Sequence, residues 1–206
     1  MPKLLYLSVS PRAENSYSRQ AGARMIAWLE RRHGPLTVID RDLAADPVPH
    51  IDGAMARASL MPAADRGPAE HAALALSETL IGELEAADIV LISTPMHNFT
   101  VPSALKAWID HVVRSNRTFR STPAGKVGLL ADRPVLAVVS CGGPFHDGPG
   151  SQRDMMTPYL QYVFGSVGIT QVEVVRMENM ARGEDFVARG FERLNAWTGS
   201  LAIRAA

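Results

Sequence analysis

Five short apolar runs punctuate the chain, at residues 4–7, 36–39, 89–92, 135–139 and 172–175, mostly without polar alternation. Continuous apolar strands of that kind are buried on both faces. Between them, apolar residues recur at spacings of three and four: Ala21, Met25, Trp28 and Leu29; Leu76, Leu80, Ile81 and Leu84; Leu105, Trp108, Ile109 and Val112; Met156, Tyr159, Leu160 and Val163. Each set predicts a helix with one buried stripe. Val187, Phe191, Leu194 and Leu201 predict a last helix, with Gly190 a weak point inside it. Strand and helix therefore alternate, which requires right-handed crossovers and a mostly parallel sheet covered by helices on both sides.

Five strands suit a flavodoxin-like α/β sheet of order 2-1-3-4-5. In that order the topological switch falls between the first and third strands, and ligand groups are expected at their C-terminal ends. Residues 8–18 and 93–100 occupy those two positions. No repeat or linker divides the chain, so residues 1–206 are expected to form one domain. Residues 42–68 break the rhythm with four prolines and little periodicity. A connection of that length is a lid, a partner surface or a plain surface excursion.

The first of these loops, Ser8-Val9-Ser10-Pro11-Arg12-Ala13-Glu14-Asn15-Ser16-Tyr17-Ser18, runs from strand to helix. A helix start leaves about four backbone N–H groups without internal partners and carries roughly half a positive charge. Ser10, Ser16 and Ser18 add hydroxyl donors, so this corner suits a phosphate, although Ser16 is also an ordinary helix cap. The second loop, Ser93-Thr94-Pro95-Met96-His97-Asn98-Phe99-Thr100-Val101-Pro102, mixes thioether, aromatic and amide groups suited to the face and edge of a flat heterocycle. Taken alone it is equally a polar turn, with Thr100 capping and Pro102 placed for a first helical position. After the fourth strand, Ser140-Cys141-Gly142-Gly143 lets backbone N–H groups approach a ligand without Cβ interference. Cys141, with His146 as base, allows a nucleophile reading, against which a lone small thiol at a strand end is ordinarily packed.

Composition narrows the function. The 206 residues carry 21 basic and 21 acidic side chains, which argues against nucleic-acid binding and a polybasic membrane patch. No apolar run reaches a membrane span, and the single cysteine fits a reducing compartment, so a cytoplasmic location is expected. His33, His50, His71 and His111 lack metal-ligand spacing, and no metal site is expected. Arg117 and Arg120, beside Phe119, read as a solvated basic face, with attraction of a pyridine-nucleotide phosphate as the alternative. Walker and Gly-x-Ser-x-Gly stretches are absent, and residues 143–148 lack the strand-to-helix setting of a dinucleotide fingerprint.

Together the three loops resemble the FMN-dependent NADH azoreductase and quinone reductase family, small flavodoxin-like enzymes. The resemblance runs nearly end to end and includes Ser8-Val9-Ser10-Pro11-Arg12 with Ser16-Tyr17-Ser18, Asp42-Leu43-Ala44, Met96-His97-Asn98-Phe99, Ser140-Cys141-Gly142-Gly143, Thr157-Pro158-Tyr159-Leu160 and Phe164-Gly165-Ser166-Val167-Gly168-Ile169. It implies that Ser10, Ser16, Tyr17 (through its N–H) and Ser18 hold the FMN phosphate. Met96, His97, Asn98, Phe99, Ser140, Cys141, Gly142 and Gly143 would surround the ring. It implies one FMN per subunit, a homodimer with the flavin near the interface, and residues 42–68 as a dimer and pocket wall. His97 stands where the family usually has tyrosine, and Cys141 where arginine or serine is frequent.

The implied activity is two-electron transfer from NADH or NADPH to a quinone, with reductive cleavage of aromatic azo compounds as a side activity, in ping-pong order. His97 and His146 are the candidate proton donors, since imidazole both gives and takes protons. Two rivals remain: a flavodoxin-type electron carrier to a protein partner, against which the balanced charge counts, and a Cys141-based hydrolase.

Overall fold

The computed structural model describes residues 1–145 and 151–202. Its sheet starts from β1 (Lys3–Ser8), an interior strand whose Leu4, Leu5 and Leu7 are fully buried. Flanking it are β2 (Thr37–Asp42) and β3 (Ile89–Pro95), and beyond β3 lie β6 (Val135–Ser140) and β7 (Val172–Met177). All neighbours are parallel in the order β2-β1-β3-β6-β7, the expected sheet. Between its third and fourth strands the chain inserts a small antiparallel hairpin, β4 (Phe119–Thr122) and β5 (Gly125–Gly128).

Side chains alternate across each strand, so the sheet builds two cores. Leu5, Leu7, Val90 and Ile92 pack under α3 (Pro68–Ala86), α4 (Ser103–Val112) and α5 (Met156–Ser166), with Trp108 and Phe164 as the largest buried rings. Leu4, Tyr6, Leu91 and Val138 pack under α1 (Tyr17–His33) and α6 (Glu184–Ser200) through Met25, Leu29, Phe191 and Leu194. Gly22 lets α1 lie close to the sheet: a Cβ there would stand 2.3 Å from the Tyr6 hydroxyl oxygen. Gly190 has the same kind of reason, since a Cβ would fall 2.6 Å from Met180 Sδ.

Four expectations need correction. The apolar run at 36–39 is not buried on both faces, because β2 has one strand neighbour and leaves Val38 40% exposed. Residues 42–68 contain a helix, α2 (Gly53–Leu60), capped where Asp52 accepts from Met55 N–H at 2.8 Å. Arg117 is no solvated basic face, since it pairs with Glu78 and Glu85 on α3. Pro102 stands one residue before α4 instead of inside it, and Thr100 does not cap that helix through its side chain.

Candidate functional site

The C-terminal ends of β1, β3 and β6 meet at one edge of the sheet. Leaving β1, the chain turns so that Ser10 Oγ accepts from Arg12 N–H at 3.3 Å. Ser16 then caps α1, its Oγ accepting from Arg19 N–H at 3.3 Å and lying 3.0 Å from Ser18 Oγ. Ser10, Ser16 and Ser18 are all buried, and the first turn of α1 holds no acidic residue. Tyr17 and Ser18 begin the helix, so their N–H groups lack an intrahelical acceptor.

Arg19 clamps this corner. Its Nε donates to Ser10 O at 2.9 Å, and its two Nη groups donate to both Asp42 oxygens at 2.7 Å. The Asp42 carboxylate also accepts from the N–H groups of Ala44 and Ala45. The Arg19 guanidinium, seconded by those backbone donors, holds the Asp42 carboxyl down to about 2. The charge of Arg19 is therefore committed to scaffolding.

Beyond β3, Met96 N–H donates to Ser140 O at 2.9 Å, and His97 and Thr100 exchange two backbone hydrogen bonds of 3.0 Å. Between them Asn98 and Phe99 have φ of 46° and 73°, the arrangement of a type I′ turn. Asparagine tolerates that region, whereas a phenylalanine there is strained. The turn leaves Phe99 55% exposed.

The third wall follows β6. Cys141 N–H donates to Met177 O, and Met180 N–H donates back to Cys141 O, both at 2.9 Å. This exchange draws the segment after β7 into the site. The Cys141 thiol is 3% exposed and lies 3.5 Å from Met177 O. Burial first, and the Glu178 carboxylate second, push it up to about 12, which disfavours the thiolate that a nucleophile needs.

Ser10, Ser16, Tyr17, Met96, His97, Ser140, Cys141 and Gly142 line one cleft of about 220 Å³. Asn98, Phe99 and Gly143 line an adjoining hollow of about 400 Å³ that shares Met96, Cys141 and Gly142 with it. Ser18 stands behind the cleft on Ser16. His146 lies outside the described residues. Arg12, Pro95, Met180 and Ala181 also line the cleft, and Gln152 the hollow. Arg12 ends the Ser8-Val9-Ser10-Pro11-Arg12 stretch, whereas Met180, Ala181 and Gln152 carry no local signal. Among the described residues no His, Cys, Asp or Glu cluster could hold a metal ion, and no helix is long and apolar enough to cross a membrane.

Comparison with known proteins agrees with this geometry. Residues 2–199 match the model of a family described as having a flavodoxin-like fold. The chain is 43% identical over 188 residues to FMN-dependent NADH:quinone oxidoreductase 4 of Pseudomonas fluorescens, covering 91% of this chain and 89% of that one. It is 39% identical over 193 residues to FMN-dependent NADH:quinone oxidoreductase of Herminiimonas arsenicoxydans, covering 94% and 95%. Among solved structures, the azoreductase of Bacillus anthracis superposes with a TM-score of 0.84 at 26% identity, covering 98% of this chain and 100% of that one. Edge-of-sheet loops, sheet order and these matches lead to one assignment: the chain belongs to the flavodoxin-like family that includes the FMN-dependent NADH:quinone oxidoreductases.

Proposed function

We propose that this chain is an FMN-dependent oxidoreductase that passes two electrons from NADH or NADPH to quinones and, as a side activity, reductively cleaves aromatic azo compounds. One observation carries the reading: three loops of different chemistry open on two adjoining spaces that share Met96, Cys141, Gly142 and Ala181, with serine hydroxyls and Arg12 at one end and a thioether, an aromatic ring, amide side chains and backbone glycines at the other. A phosphorylated flavin has that polarity. The Ser10 and Ser16 hydroxyls at the α1 N-terminus fit a phosphate, and among the described side chains no acidic one lines the cleft or its hollow.

Ser10, Ser16, Ser18 and the Tyr17 N–H would hold the phosphate, the hydroxyls donating to its oxygens. Met96 and Phe99 would supply apolar contact to the ring, Asn98 an amide in reach of its edge, and Ser140, Cys141, Gly142 and Gly143 the opposite wall. When bound, FMN supplies hydride acceptance from the pyridine nucleotide and two-electron delivery to the acceptor. The chain's own part is to seat the cofactor, stack the acceptor and keep the Cys141 thiol out of the chemistry. His97, exposed on the cleft wall, would give a proton from an imidazole nitrogen to the reduced acceptor, and His146 is the second candidate.

The unit would be a homodimer with one FMN per subunit. In support, an apolar hollow of about 290 Å³ lies against His97, walled by Leu43, Pro47, Val48 and Pro102. A cytoplasmic location accords with the single buried, unpaired cysteine.

Mixing the purified protein with FMN, removing free cofactor by gel filtration and recording the visible spectrum tests the reading. Retained flavin near one per chain is expected, and its absence sinks the proposal. Once the holoenzyme is in hand, His97→Ala and His146→Ala test the proton role. Unchanged turnover and pH profile in both would remove it.

A further inference from the structure

We propose that Arg12 makes the cleft select a phosphorylated flavin over uncharged riboflavin, by neutralising the phosphate that the serine loop hydrogen-bonds. The inference rests on the FMN reading above and adds to it a residue that contributes charge.

Arg12 lines the cleft beside Ser10, Ser16 and Tyr17 and does not line the adjoining hollow with Phe99 and Gly143. It belongs to the end of the site that takes an anion. Its backbone N–H is anchored on Ser10 Oγ at 3.3 Å, while its side chain is exposed and forms no ion pair among the described side chains. The neighbouring arginine cannot share the task, because both ends of the Arg19 guanidinium are held by Asp42. Among the described residues, Arg12 is the one permanently charged side chain lining either space, and no acidic side chain lines them.

A phosphate monoester carries between one and a half and two negative charges at neutral pH, on the order of the charge of a phosphoserine. A helix start offers about half a charge in return. Serine hydroxyls and backbone N–H groups satisfy oxygens without neutralising them. The remaining charge calls for a cation, and the planar fork of arginine matches phosphate oxygens in pairs. The same chemistry could serve a phosphate of the pyridine nucleotide, and the experiment separates the two sources.

Arg12→Gln and Arg12→Lys are titrated with FMN and with riboflavin by fluorescence, at low and high salt. For Arg12→Gln the FMN Kd is expected to rise about tenfold or more. Its riboflavin Kd should stay close to wild type, and the salt dependence of FMN binding should flatten. Arg12→Lys should recover part of the affinity. Both variants should melt as wild type does, since among the described side chains that of Arg12 bridges nothing. Equal FMN affinity in Arg12→Gln and wild type would overturn the assignment while leaving the cofactor reading intact. So would a raised KM for NADPH with FMN affinity unchanged, which would assign Arg12 to the donor. Failure of the wild type to bind FMN removes the cofactor reading itself, and the assignment with it.

Discussion

Cys141 and Asp42 show how burial and pairing sort residues that look alike on paper. With its thiol sealed against Met177 O and pushed up to about 12, Cys141 should resist alkylation in the native protein. Cys141→Ser should keep FMN binding and turnover. Loss of turnover with flavin retained would return the thiol to the chemistry. Asp42 is displaced the other way. Its carboxyl titrates lower in the folded chain than in the unfolded one, so its stabilisation is complete above the unfolded value of about 4 and fades as pH falls toward about 2. The pair is partly exposed, so Asp42→Asn should remove only about 1–2 kcal/mol at neutral pH. Urea unfolding at descending pH should show variant and wild type converging below about pH 4. A gap independent of pH would deny the charge its role. The serines of the first loop were legible because capping and hydroxyl donation are local chemistry. Met180 was not, because what places it is a backbone bond to Cys141, a residue 39 positions earlier in the chain.

At the level of elements, two glycines from distant segments hold the β4–β5 hairpin in place. A Cβ on Gly128 would lie 2.1 Å from the backbone nitrogen of Gly168, which itself has a φ of 104°. Neither atom is the end of a flexible side chain, so relief requires the hairpin to leave the turn after α5. Gly128→Ala should therefore cost about 2–3 kcal/mol or more, read as a lowered denaturation midpoint with an unchanged m-value. A variant as stable as wild type would mean that the contact is loose. Residues 164–169 are among those that carry the family resemblance, but the partner strand of this turn had no signature, since β5 is four residues long and mostly exposed. α2 escaped periodicity for a related reason. It has eight residues and buries only Met55 and Ala58, against Leu74, too short a stripe to repeat. Asp52 three residues before Met55 was the available sign, a cap without a visible helix behind it.

For the molecule as a whole, strand order was legible because topology leaves few choices: apolar runs alternating with amphipathic helices must cross over right-handed, and doubly wound sheets open at the switch. What the pattern could not supply was the join between loops, which depends on backbone bonds such as Met96 to Ser140 across β3 and β6. The same global view separates an enzyme from an electron carrier. With 21 basic and 21 acidic side chains, the chain carries no net charge of the kind that steers a shuttle onto its protein partner. Carriers that dock through charge show association rates that fall steeply with ionic strength, because the Debye length shortens from about 30 Å at 0.01 M to about 10 Å at 0.1 M. An uncharged quinone feels no such field. With FMN saturating, the holoenzyme should oxidise NADH with a small quinone as sole acceptor, and kcat/KM for that quinone should stay nearly constant over this salt range. Slow NADH oxidation that becomes fast only when a second protein is added, with a steep salt dependence, would instead make the chain a carrier, and the cleft beside His97 a docking site for that protein.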